Sequence, residues 1–233
     1  MRGAAAGAAL IALCGGCGGS ALPAAKVVKA GQSDPLPAGT ACYRLVPSAS
    51  RLEVDVGTLV GEYTLRFRRY RAEVRTARDD PTASRLWLEL DTRSLSADTP
   101  LIARAARSSA FLDVARFPRA CFVTEHVVRD TDQPQTYRVR GVLSLHGVRR
   151  SVALPVRIAR SGKRYVVLSH FSLDRGLFDI HAPGVVDAMV ENEVAVQLEL
   201  VGEDCPAGGP VSSWWHGCAA AAPVPHSAPQ ETK

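Results

Sequence analysis

Six histidines, six cysteines and a scatter of serines and carboxylates are the residues of this 233-residue chain whose chemistry could exceed packing. His126, His146, His170, His181, His216 and His226 are spread over separate segments. No two of them stand at the i, i+4 spacing or in the paired-cysteine company that metal ligation uses. No Gly-x-Ser-x-Gly elbow exposes a serine nucleophile. The adjacent carboxylates Glu191 and Glu193, and Asp79 and Asp80, fall in expected loops or on solvent faces, which gives general acid–base chemistry no enclosed site. The sequence therefore predicts no metal, no cofactor and no catalysis. It predicts a protein that binds.

The cysteines point to export. Met1-Arg2 followed by the apolar run Ala4 to Leu13 reads as a secretory signal within residues 1–25, too short to span a bilayer as a mature helix. Cys17, after Gly15-Gly16 and with Leu13 upstream, resembles a lipobox, and acylation there would tether the chain to a membrane surface. Soluble export with cleavage between Gly19 and Ala25 is the rival. Cys42, Cys121, Cys205 and Cys218 then remain, an even number that favours disulfides in an oxidising compartment, the periplasm. Cys42 opens the first expected strand and Cys205 closes the last. In an antiparallel barrel of even strand number these points are neighbours, which gives Cys42–Cys205 with Cys121–Cys218. Spacing leaves Cys42–Cys121 with Cys205–Cys218 equally open.

The net charge of +5 is modest, and the arginines form no basic face interleaved with aromatics, so no nucleic-acid partner is expected. The run Arg66, Arg68, Arg69, Arg71 reads as a solvated face or as an attraction for phosphate headgroups. Residues 26–40 read as a flexible linker and 204–233 as a tail, with Trp214-Trp215 followed by a low-complexity end. The domain is expected over 41–203.

Within it, apolar and polar residues alternate in Arg51–Val56, Tyr63–Arg68, Arg85–Asp91, Ala120–Val127, Tyr137–Leu145, Val152–Ile158, Tyr165–Phe171 and Val194–Leu200. Leu101, Ile102, Ala105 and Ala106 recur at helical spacing, which places one short helix near 100–110. Strands at near-regular intervals with one helix define an all-β fold, and periodicity admits either a sandwich or a closed barrel.

Four phrases narrow this choice. Thr92-Arg93-Ser94-Leu95, Phe111-Leu112-Asp113 with Phe117-Pro118 and Phe122, Leu143-Ser144-Leu145-His146-Gly147-Val148, and Asp174-Arg175-Gly176-Leu177-Phe178 occur in the order found in the YceI-like family, which the chain resembles from about Tyr43 to Val201. Arg149, Arg150 and Ser151 replace that family's usual Thr, Lys and Pro, and the first strand lacks its usual histidine. The resemblance implies an antiparallel lipocalin-like barrel of about eight strands. It also implies an exported bacterial protein that binds a polyisoprenoid or similar long apolar lipid. The expected lumen wall is Val54, Val56, Leu65, Phe67, Leu88, Phe111, Phe122, Leu143, Phe171 and Leu198. The alternative is an envelope interaction barrel whose interior is filled by side chains.

Overall fold

The structure, a computed structural model, describes residues 23–27, 41–77, 80–131, 133, 135–161 and 164–205. Its strands are β1 (Lys26–Val27), β2 (Ala41–Leu45), β3 (Arg51–Thr58), β4 (Gly61–Phe67), β5 (Tyr70–Ala77) and β6 (Asp80–Asp91). There follow β7 (Leu95–Ala97), β8 (Arg119–Arg129), β9 (Thr136–Leu145), β10 (Val148–Ser161), β11 (Arg164–Asp174) and β12 (Glu193–Cys205). One α-helix, α1 (Pro100–Arg107), lies between β7 and β8.

The sheet closes. Going round, β2 pairs with β5, then β6, β8, β9, β10, β11 and β12, and β12 returns to β2 with Cys205 opposite Cys42, every contact antiparallel. That circuit of eight strands is a barrel, so the sandwich is excluded. Eight strands leave an interior that side chains fill or that holds one small ligand. The Cys42–Cys205 disulfide locks the seam and rules out the alternative pairing of those two cysteines. Cys121 is disulfide-bonded as well, whereas Cys17 and Cys218 lie outside the described residues.

The N-terminal half of β12 is shared with β3, Ala195 facing Asp55 through Glu199 facing Arg51. From there β3 pairs with β4, and β4 with β7. The ribbon changes course at Arg68 and Arg69, whose N–H groups both donate to Ser94 Oγ. Helix α1 starts where Thr99 Oγ1 accepts from Ile102 N and Pro100 fills the first turn, which needs no N–H partner there. It packs Ala103 into a cluster with Leu52, Leu65, Phe67, Leu95 and Leu200.

Lys26 and Val27, expected at the start of the flexible linker, instead pair with Ala153 and Val152. The β10–β11 pairing runs from Arg157/Leu168 to Ser161/Arg164. Beyond it β1 lies on β10, while Ala24 bridges Ser172 of β11. Ala25 belongs to the main core, so the N-terminal segment fills a place in the wall. The tight link between β9 and β10 has positive φ at both His146 and Gly147, the geometry of a two-residue hairpin. A Cβ at Gly147 would also stand 2.7 Å from the Phe117 ring.

Candidate functional site

Inside the barrel lies a cavity of about 470 Å³. That is about three times the roughly 150 Å³ of apolar cavity that stays dry and takes up benzene. All ten residues expected on the wall line it: Val54, Val56, Leu65, Phe67, Leu88, Phe111, Phe122, Leu143, Phe171 and Leu198. They come from β3, β4, β6, β8, β9, β11 and β12 and from the loop after α1. Strand alternation turns them inward while Glu53, Asp55 and Arg66 on the same strands bond to one another or to neighbours outside. On β8 the pairing register shifts between Thr124 and His126. That bulge lets Thr124 and Val127 both line the cavity despite their odd spacing.

Few polar side chains reach the interior, and most are occupied. Thr58 Oγ1 donates to Gly61 O at 2.7 Å, Ser84 Oγ to Thr76 Oγ1 at 2.6 Å, Thr76 Oγ1 to Ala77 O at 2.9 Å and Ser169 Oγ to Pro155 O at 2.5 Å. The Tyr43 and Tyr165 rings meet with centroids 4.3 Å apart. Burial, reinforced by a hydrogen bond to Tyr165, raises the Tyr43 hydroxyl to about 12, so it stays neutral over the ordinary pH range. Thr124 Oγ1 is buried and has no partner among the described residues.

Among the described residues that line the cavity, Arg175 is the one charged side chain. It is 4% exposed, and its guanidinium serves the fold. Nε donates to Glu191 O, Nη1 to Ile180 O and Asp187 Oδ1, and Nη2 to Asp187 O and Val190 O, at 2.6 to 3.1 Å. These five bonds match the donor capacity of arginine. They hold the 3₁₀ turn Gly184–Met189 against the end of the barrel. Asp187 also accepts from Ala182 N at 2.8 Å. The Arg175 bond, followed by the Ala182 one, holds the Asp187 carboxyl below its ordinary value. Sequence reading noticed Arg175 as part of a turn phrase and missed this clamp. An arginine inside an apolar segment at a strand end was the available signal.

The remaining candidates are dispersed. His146 Nδ1 lies 3.1 Å from Phe178 O, and its ring stands edge-on to Phe117, which ties down the β9–β10 hairpin. The arginine run is largely engaged: Arg66 pairs with Glu53 and Asp98, Arg69 with Asp91 and Arg71 with Glu89. No group of three or more His, Cys, Asp or Glu among the described residues could hold a metal ion. Trp214, Trp215, His216, His226 and Asp79 lie outside the described residues.

A closed antiparallel barrel round a hollow apolar lumen, with one helix on its flank, is a lipocalin-like architecture. The chain belongs to the YceI-like domain family, whose match covers residues 43–202. It is 29% identical over 123 residues to a UPF0312 protein of Pseudomonas putida (strain W619), a match spanning 50% of this chain and 63% of that protein. A UPF0312 protein of Pseudomonas savastanoi pv. phaseolicola is 36% identical over 83 residues, 36% of this chain and 42% of the relative. The chain thus matches less than two thirds of the length of these relatives. Among solved structures, Burkholderia cenocepacia BcnA shares the fold with a TM-score of 0.63 at 18% identity, covering 67% of this chain and 98% of that one. A polyisoprenoid binding domain from Saccharophagus degradans, implicated in plant cell wall breakdown, does so with a TM-score of 0.57 at 17% identity, covering 70% and 98%.

Proposed function

We propose that the barrel binds one long apolar lipid of isoprenoid type in its lumen. The observation that carries this reading is the cavity itself, about 470 Å³ and lined almost wholly by aliphatic and aromatic side chains. Lost packing scales at about 24 cal/mol per Å³ of void, so an empty lumen of this size would cost on the order of 10 kcal/mol. A hydrocarbon guest offsets that cost and recovers roughly 25 cal/mol per Å² of its own surface removed from water. The fold shared with a polyisoprenoid binding domain supports the same ligand class. A barrel plugged by its own side chains, the alternative read from sequence, would lack this space.

In this reading the protein works outside the cytoplasm, in the periplasm, where disulfides such as Cys42–Cys205 persist. Cys121 then pairs with Cys218, and an acyl group on Cys17 holds the chain at a membrane surface. Binding, rather than turnover, is the activity, whether it serves transport or sequestration. Organic extraction of the purified protein followed by mass spectrometry should release a lipid, and delipidated protein should take up added polyprenoid. Absence of both would reject the proposal.

A further inference from the structure

Single exposed apolar side chains are ordinary, but one end of this barrel gathers several. Leu59 and Val60 form the β3–β4 turn and are each 75% exposed; Val185, in the 3₁₀ turn Gly184–Met189, is 81% exposed. Val186 and Met189 are exposed as well. The two turns make one surface. Leu59 N donates to Met189 O at 3.1 Å, Glu191 N donates to Gly57 O at 2.9 Å, and Thr58 bridges Val190. The β4–β7 pairing, Phe67/Leu95 and then Leu65/Ala97, carries the chain toward the same end, where α1 exposes Leu101. A contiguous apolar surface of this kind marks a docking site for a protein or a membrane.

Three observations favour a membrane. The side chains stand on the tips of turns, which enter a fluid interface readily, whereas a protein partner would need a matching hollow. Charges of both signs flank them: Glu62 and Glu191 are exposed, and so is Arg104, one turn on from Leu101. Asp98 and Asp187 already pair with Arg66 and Arg175. This mixture suits zwitterionic headgroups and forms no basic patch. Finally, the chain arriving from the N-terminus joins the wall at this end. Ser172 N donates to Pro23 O at 3.0 Å, close to the end of β11, where Asp174 faces Glu193. Cys17 stands six residues before Pro23, a reach of at most about 20 Å. An acyl group there would hold this end of the barrel at the bilayer.

We propose that Leu59, Val60, Val185, Val186 and Met189 insert into a bilayer surface and dock this end of the barrel, so that the lumen exchanges lipid directly with the membrane. Thr58 and Val190, beneath the tips, line the lumen, as does Ile102 beside Leu101. The docking stands on the surface itself, and the exchange rests on the lipid-binding reading.

Hydrogen–deuterium exchange of the full chain, with and without phosphatidylcholine vesicles, reads where the protein meets lipid, whatever else tethers it. Amides of residues 59–61 and 185–189 should exchange at least about threefold more slowly with vesicles. Those of 164–167, at the opposite end, should not change. High salt should leave the protection in place, because insertion rather than charge provides it. The pair Leu59→Asp and Val185→Asp lies outside the lumen lining. Together they should abolish the protection and slow polyprenol transfer from vesicles at least about tenfold, roughly the worth of burying one such side chain. The thermal midpoint, and the affinity for polyprenol added without vesicles, should stay unchanged. Turns that exchange equally fast with vesicles, or protection that the double variant keeps or high salt removes, overturns the docking while lipid binding stands. So does protection that appears without vesicles as the chain dimerises, which would make this face a contact between copies. Protected turns in a protein that takes up no polyprenol would reject the lumen reading and keep the docking.

Discussion

Arg175 and the cavity wall beside it are both withdrawn from water, yet they satisfy that burial in opposite ways. The wall achieves it by omission: inward positions on β3, β4, β6, β8, β9, β11 and β12 carry aliphatic and aromatic side chains and leave space between them. The end held by Arg175 achieves it by saturation, with every N–H of one guanidinium assigned to an oxygen of the segment from Ile180 to Glu191. The difference teaches where this fold is rigid. A wall that already borders open space has little packing to lose, whereas a saturated buried cation cannot lose its partners cheaply.

The largest effects should therefore fall around Arg175. Arg175→Met should destabilise the protein by about 3–5 kcal/mol in denaturant unfolding, because the buried acceptors of the segment lose their donor together. Arg175→Lys should recover only part of this, since a point ammonium cannot reproduce a planar fork. Phe178→Ala, at a side chain with 0% exposure in the 3₁₀ turn Arg175–Phe178, should cost a similar amount, about 3–5 kcal/mol. A cost under about 1 kcal/mol at both positions would erase the contrast.

At the wall the expectation reverses. Leu88→Trp fills the lumen and should reduce polyprenoid uptake at least about tenfold, roughly 1.4 kcal/mol of binding free energy, with thermal stability held or raised. Phe111→Ala, at a half-buried wall position, should cost only about 1–2 kcal/mol, below the usual range for a buried phenylalanine. A loss as large as that of Phe178→Ala would show that the wall is packed as tightly as the turn that carries Arg175.

The smallest effect concerns pH. Tyr43 ionises at about 12 in the folded protein, against 10.0 for the free side chain. Because the folded state holds this proton more tightly, its contribution to stability is complete below pH 10 and lost as pH rises toward 12. Burial raises Tyr70 as well, so absorbance titration should show late tyrosine ionisation from which Tyr43→Phe removes one group. For Asp187, whose folded value is lowered, the sign is opposite, and stability should fall as pH drops through and below the ordinary carboxylate range.

The sequence made the inner face of the wall legible because a strand with one buried face must alternate, and Leu52-Glu53-Val54-Asp55-Val56 or Val194 to Leu200 does so without interruption. Closure was less legible. Alternation says which side chains share a face and nothing about which strand lies alongside, so the choice of barrel over sandwich leaned on the family resemblance. Strand β5 went unread although Tyr70, Ala72, Val74 and Thr76 alternate with Arg71, Glu73 and Arg75, because the neighbouring arginines drew it into a solvated hairpin. The pairing of Lys26 and Val27 with β10 depends on the place left beside β11 beyond Leu168, which no local pattern announces.

Lipid in the lumen is read without intermediary by native mass spectrometry of the purified full chain, before and after organic extraction. A bound species of hydrocarbon-rich composition should leave on extraction, return on adding polyprenol, and be excluded by Leu88→Trp. A protein that runs at its bare mass throughout and takes up no polyprenol would contradict it.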